Sequence, residues 1–185
     1  MKFLIQIAFL ISFISCDKTN LKQVNVEEFE IFVKETDYVT DAEKYGWSVV
    51  QKSVDHFIIL YGIDWRCPDG VNYAKKGYAV TQVSYNDAKI YADWANKKIP
   101  SYEFFWENSH SQLPININSP LILPTEQMNL VGNVWEITTP DKLGRVRLAG
   151  GSYLCNPNTC NGSDYNRELF VDVETGNSHI GFAIY

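Results

Sequence analysis

Apolar positions recur with a helical period in the first half of this chain and in short strand-like runs toward its end. Asn25 is followed three positions later by Glu28, a capping-box pair, and Phe29, Phe32 and Val33 then fall on one stripe, so a helix is predicted to run to about Glu35. Ser84 and Asp87 repeat that signal ahead of Ala88, Tyr91, Ala92 and Ala95, which predicts a second helix ending near Asn96. Pro100 and Ser101 open a third, shorter helix carrying Tyr102, Phe104, Phe105 and Trp106. Residues 40–50 mix charged and aromatic positions without a clear period, 57–61 read as a short strand, and 64–77 read as a loop turning at Pro68-Asp69-Gly70. Pro114, Pro120 and Pro124 keep 108–125 irregular, and strands are predicted over 134–138, 145–149 and 180–185. The class is α+β, irregular and loop-rich, without an internal repeat.

The first residues stand apart. Met1-Lys2 supplies a positive end and residues 3–14 are apolar apart from Gln6 and Ser12, an export-signal pattern too short to span a bilayer. It ends in Phe13-Ile14-Ser15-Cys16, which resembles the lipobox of bacterial lipoproteins with Cys16 as the lipidated residue. Residues 1–15 are thus expected to be a signal peptide, 16–23 a lipid-anchored tether, and 24–185 a single domain. The expected location is outside the cytoplasm, on a membrane at the periplasmic or cell-surface side, where disulfides persist. Ordinary cleavage with a free or disulfide-bonded Cys16 is the alternative.

With 185 residues, one domain can bury a core unaided. A net charge of -6 and the lack of any Lys/Arg block argue against nucleic acid as a partner. His56, His110 and His179 are scattered without metal-ligand spacing, so each is read as a surface or hydrogen-bonded residue. Cys67 reads as a small hydrophobe in a loop. The chemistry points instead to Cys155 and Cys160, separated by four polar residues after Gly150-Gly151-Ser152. Two thiolates from one loop can grip soft monovalent copper, or close a disulfide.

Several segments, in order, resemble the formylglycine-generating enzyme family, also called sulfatase-modifying factors. They are Tyr38-Val39-Thr40-Asp41-Ala42-Glu43-Lys44-Tyr45-Gly46-Trp47-Ser48, the Trp65-Arg66-Cys67-Pro68-Asp69-Gly70 loop, the stretch 83–107, Gly132-Asn133-Val134-Trp135-Glu136, and Gly150-Gly151-Ser152 through Gly181-Phe182. The resemblance implies a variant of the C-type-lectin-like fold. It also implies a copper-dependent oxidase that converts a cysteine in a Cys-x-Pro-x-Arg segment of an unfolded sulfatase, or another cysteine-containing peptide, to formylglycine with dioxygen. Carried over, Cys155 and Cys160 would bind Cu(I) as a near-linear dithiolate, with the substrate thiolate as a third ligand and Ser152 as a hydrogen-bond donor beside the oxygen site. Glu136, the carbonyls of Val131 or Gly132 and of Val134, and the side chain of Asn129 or Asn133 resemble the family's calcium site. A monomer is expected.

Some positions depart from the family pattern. Ile137 replaces a Trp, Val171-Asp172-Val173-Glu174 replaces Asn-Thr-Pro-Asp, and of an arginine-rich stretch only Arg167 remains. Residues 109–128 are too few for the family's second calcium site. Two other readings stay open: a non-catalytic lectin-like or surface-assembly lipoprotein with a Cys155–Cys160 disulfide, and an oxidase or sulfur-transfer enzyme acting on a small thiol.

Overall fold

The structure is a computed structural model, and it describes residues 21–109, 129–155 and 164–185. Its elements in chain order are β1 (Lys22–Gln23), α1 (Val26–Thr36), α2 (Asp41–Tyr45), β2 (Trp47–Ser53), β3 (His56–Tyr61), α3 (Tyr85–Trp94), α4 (Tyr102–Ser109), β4 (Trp135–Ile137), β5 (Val146–Ala149), β6 (Phe170–Val171) and β7 (Ile180–Ile184). Reciprocal capping boxes start the first three helices: Asn25 with Glu28, Thr40 with Glu43, and Ser84 with Asp87. Gly46 stops α2 in the left-handed conformation.

Five strands form one sheet in the order β1-β7-β4-β5-β6, and β2 and β3 pair as a separate hairpin. Within the sheet β4 and β7 run parallel, with Trp135 opposite Ile180, and the other pairs are antiparallel. Alternation along these strands loads the two faces differently. Trp135, Ile137, Val146, Leu148, Ile180 and Phe182 face a core with α1 and α3. Ala149 and Ala183 face a second cluster built on Tyr102, Phe105 and Trp106 of α4.

Phe29 holds the larger core together, with its ring centroid 5.4 Å from Trp65, 5.7 Å from Tyr91 and 6.3 Å from Phe182. Asp41 and Asp87 tie α2 to α3, since Asp87 accepts from the Asp41 amide and the Tyr38 hydroxyl, and Asp41 accepts from Ser84 and Asn86. Because β4 and β7 are parallel neighbours and β5 runs against β4, the starts of β4 and β7 meet the end of β5 at one end of the sheet. The segments reaching that end carry Asn133, His179 and the stretch from Gly150 to Cys155.

Three expectations need correction. Residues 21–23, expected to belong to a polar tether, are part of the fold: Leu21 is buried and Lys22–Gln23 pair with β7 at Ile184 and Ala183. Residues 40–50, expected to lack a clear element, form α2 and the first part of β2, and the latter binds β3 along its length. The strands expected at 134–138, 145–149 and 180–185 are each a residue or two shorter than predicted.

Candidate functional site

The loop after β5 is shaped by glycine. Gly150 adopts φ +83°, and a Cβ there would lie 2.3 Å from the carbonyl oxygen of Leu130, so the backbone approach excludes a side chain. The Gly132 amide donates to the Gly150 carbonyl at 2.8 Å, and the Tyr153 amide to the Asn133 carbonyl at 2.8 Å. The loop is thereby clamped against the segment entering β4. A tight turn follows: the Cys155 amide donates to the Ser152 carbonyl at 2.9 Å, and the Ser152 amide lies 3.4 Å from Cys155 Sγ.

Ser152 is fully buried and Cys155 is 5% exposed. The Ser152 hydroxyl oxygen accepts from the Leu154 amide at 3.3 Å and lies 3.2 Å from His179 Nδ1. Burial pushes the His179 imidazole from its ordinary value of 6.5 down to about 4, so the ring is neutral near pH 7, and its tautomer decides whether Nδ1 accepts from the Ser152 hydroxyl or donates to it. His179, read from sequence as an isolated residue, is therefore part of this constellation. The Asn177-Ser178-His179 run just ahead of β7 is the only local signal, and it does not reveal a partner 27 residues away.

Ser152, Cys155, Trp135, His179, Arg167 and Leu154 line one cavity of about 190 Å³. Arg167 is aimed by its neighbour Arg147, whose guanidinium stacks 3.7 Å from the Tyr102 ring centroid and donates to the Arg167 and Tyr165 carbonyls. The Arg167 guanidinium lies 5.7 Å from the Trp135 ring centroid, and its buried Nε has no hydrogen-bond partner. The cavity thus offers a sulfur, a hydroxyl, a neutral imidazole and a cation. Cys155 is disulfide-bonded, while Cys160, Cys16 and His110 lie outside the described residues. Cys67 is a free, half-buried cysteine in its loop.

Soft-metal chemistry needs thiolates, and among the described residues this cavity supplies one sulfur, that of Cys155, with the Ser152 amide N–H 3.4 Å from it. The second thiolate that the dithiolate reading calls for is Cys160.

Glu136 follows Trp135 on β4 and points to the other face of the sheet. It is fully buried, its Oε1 accepts from the Gln23 side-chain amide, and its Oε2 has no partner. Burial pushes its carboxyl up to about 8. Asn133, also fully buried, donates from Nδ2 to the Gln23 carbonyl at 2.8 Å. Gly132 and Val134 flank Asn133 on the segment entering β4, and Asn129 precedes them at its start. An orphaned carboxylate oxygen among amides suits a hard, oxygen-seeking cation such as Ca²⁺.

Comparison with known proteins places this architecture. The model of the sulfatase-modifying factor enzyme 1-like domain matches residues 18–127. Formylglycine-generating enzyme of Thermomonospora curvata is 35% identical over 102 residues, covering 45% of this chain and 33% of that protein. The Bos taurus formylglycine-generating enzyme is 35% identical over 106 residues, covering 47% of this chain and 28% of that protein. A second Bos taurus relative, named inactive C-alpha-formylglycine-generating enzyme 2, is 31% identical over 103 residues, covering 45% of this chain and 34% of that protein. Among solved structures, PvdO from Pseudomonas aeruginosa superposes with a TM-score of 0.61 at 13% identity, covering 88% of this chain and 77% of that one. CarF superposes with a TM-score of 0.50 at 14% identity, covering 88% of this chain and 83% of that one.

The chain belongs to the sulfatase-modifying factor family and has the α+β fold of formylglycine-generating enzymes. It spans about a third of the length of the curated relatives it matches. The family match ends at residue 127, before β4 and the cavity, so the reading of the site rests on the geometry above.

Proposed function

We propose that the reduced protein is a copper-dependent oxidase that converts a peptide cysteine, in a Cys-x-Pro-x-Arg setting, to formylglycine. The observation that carries this reading is the buried Cys155 sulfur, beside the Ser152 amide and hydroxyl, opening on a cavity with Trp135, His179 and Arg167. Copper(I), when held by Cys155 and Cys160, supplies affinity for the substrate thiolate and a one-electron partner for dioxygen. The chain's own residues do the rest. The Ser152 amide stabilises negative charge on Cys155, and His179, as the tautomer protonated at Nδ1, donates to the Ser152 oxygen and leaves the hydroxyl proton for the reacting oxygen. Arg167, which lines the cavity beside Trp135, brings a positive charge to the incoming peptide. In overall balance the substrate CH2–SH and dioxygen, with two electrons and two protons from an added thiol, give the aldehyde, hydrogen sulfide and water, and the added thiol becomes a disulfide.

Competition of the reduced protein with a coloured Cu(I) chelator tests the first requirement. Stoichiometric copper uptake, lost in Cys155→Ser and in Cys160→Ser, supports the oxidase; uptake unaffected by either variant refutes the dithiolate. A second reading, a scaffold or surface-assembly protein without catalysis, is favoured by the disulfide on Cys155. Copper uptake only after reduction, followed by peptide turnover, separates the first reading from the second. Turnover of small thiols without peptide would point to small-thiol chemistry instead.

The same proposal includes a Ca²⁺ at Glu136, with Asn129, Asn133 and the Gly132 and Val134 carbonyls as its other oxygen donors, and a monomeric chain exported and lipidated at Cys16. The disulfide on Cys155 supports an oxidising compartment. Movement of the Cys16→Ser variant from the membrane to the soluble fraction tests the anchor, and an unchanged distribution refutes it.

A further inference from the structure

Gln23 lies on β1, at the edge of the sheet, and Glu136 on β4, with β7 between them. Paired residues in a sheet project to the same face. Gln23 is paired with Ala183, and Glu136 with Gly181 and Ala149. The positions between and beside the two long side chains are thus occupied by two alanines and a glycine. The short side chains of Ala183 and Ala149 leave room for Gln23 and Glu136 to meet, while the space at Gly181 is taken by the Val80 carbonyl oxygen, which a Cβ there would approach to 2.5 Å. Gln23 is 1% exposed and Glu136 and Asn133 are fully buried, so a polar chain runs from Asn133 through Gln23 to Glu136 in the sheet's interior.

A buried glutamine is costly unless both ends of its amide are used. Here the carbonyl accepts from Asn133 and the amine donates to Glu136 Oε1, while Glu136 Oε2 has no partner. Among the described residues no Lys, Arg or His forms an ion pair with Glu136; the ion pairs all lie elsewhere. An ionised Glu136 would therefore need a charge from beyond the described residues, which a bound cation would supply. Half-turns of the two primary amides preserve the Gln23–Asn133 hydrogen bond with its direction reversed. They also turn the Gln23 carbonyl oxygen toward Glu136, so the same pair serves a protonated carboxyl in one setting and a cation in the other.

We propose that Gln23 is an oxygen ligand of a Ca²⁺ held by Glu136, so that the ion ties the N-terminal strand β1 to β4 across β7. This rests on the calcium reading of Glu136 and adds to it a ligand from a distant part of the chain. The ion becomes a clamp on the start of the domain. Strand β1 is only two residues long, and its neighbour Val24 is held by its own backbone bonds, with Val24 N–H donating to the Phe182 carbonyl at 3.0 Å and the Val24 carbonyl accepting from Val80 at 3.1 Å. So short a strand gains registration from a ligand that fixes its one inward polar side chain.

The test uses the full chain with Ca²⁺ alone, read by calorimetry and by hydrogen exchange at the Val24 amide. Wild type is expected to bind one ion and Glu136→Gln to lose it. Gln23→Leu, which keeps the volume and removes the oxygen, is expected to bind about tenfold more weakly or worse. Ca²⁺ should slow exchange at Val24 in wild type and leave it unchanged in Gln23→Leu. Gln23→Glu, with a charged oxygen in the same place, should restore binding and make the unfolding temperature more dependent on Ca²⁺ than in wild type. If Glu136→Gln abolishes binding while Gln23→Leu and Gln23→Glu both bind as wild type does, the Gln23 ligand is overturned and the Glu136 site stands. If wild type takes up no Ca²⁺, or Glu136→Gln binds it undiminished, the calcium reading itself fails and the Gln23 role with it.

Discussion

Replacing His179 with Asn while lowering the pH isolates one buried group whose protonation the fold opposes. Burial holds the imidazole near 4, against 6.5 for the free side chain. The folded value is depressed, so between these values the unfolded chain binds a proton that the folded one does not, and stability is lost as the pH falls from 6.5 toward 4. With those two values the loss between pH 7.5 and pH 5 is about 2 kcal/mol, rising to about 3 kcal/mol by pH 4. Asn can still offer Ser152 a hydrogen-bond partner, which makes His179→Asn the least disruptive way to remove the titration. Glu136 acts in the opposite sense: its carboxyl, pushed up to about 8, favours the folded state as the pH falls below that value. That contribution cancels when the variant is compared with wild type at each pH. Urea unfolding of both proteins at pH 7.5 and pH 5, without calcium, gives the difference directly. The wild type should lose about 2 kcal/mol more than His179→Asn over this interval. Equal losses would mean that His179 is as free to charge as in the unfolded chain, and the closed, neutral-imidazole picture of the cavity would be wrong.

Other outcomes follow from the packing and the site. Phe29→Ala removes the ring that joins Trp65, Tyr91 and Phe182 and should cost about 3–5 kcal/mol in denaturant unfolding; a cost below 1 kcal/mol would contradict its place in the core. Gly150→Ala puts a methyl group 2.3 Å from the Leu130 carbonyl at φ +83°, so it should lower the unfolding temperature and loosen the loop bearing Ser152, seen as faster alkylation of reduced Cys155. Ser152→Ala should leave the fold intact and slow peptide oxidation by about 10- to 100-fold, the range for losing a hydrogen bond to a charged group. Calcium affinity should rise by about tenfold per pH unit up to pH 8, because below that value the ion displaces a proton from Glu136; a pH-independent affinity would remove Glu136 from the site.

Local signals carried much of the fold. The capping boxes at Asn25 and Ser84 are complete within four residues, and both start helices as predicted. The same box at Thr40 and Glu43 was equally present, but a five-residue helix leaves no apolar stripe to confirm it. Strand β1 was invisible for a related reason: two residues have no period, and its existence depends on β7, more than 150 positions away. At the site, Gly150-Gly151-Ser152 and Cys155 were legible because the glycines, the hydroxyl and the thiol sit in one short loop. His179, Arg167 and Gln23 were not, since each reaches its partners only after the parallel pairing of β4 and β7 has set the sheet order. Glu136 was named as a calcium ligand, yet its complete burial and its partner Gln23 follow from the small residues Ala183 and Ala149, whose importance is a matter of register.

The most direct test of the account is mass spectrometry of a Cys-x-Pro-x-Arg peptide incubated in air with the reduced, copper-loaded protein and an added thiol. The peptide cysteine should become an aldehyde that a hydroxylamine probe captures, with hydrogen sulfide released, and neither product should form with Cys155→Ser or Cys160→Ser. A wild-type protein that binds copper at these sulfurs and still leaves the peptide thiol unchanged would contradict the oxidase and leave a metal-binding member of the family.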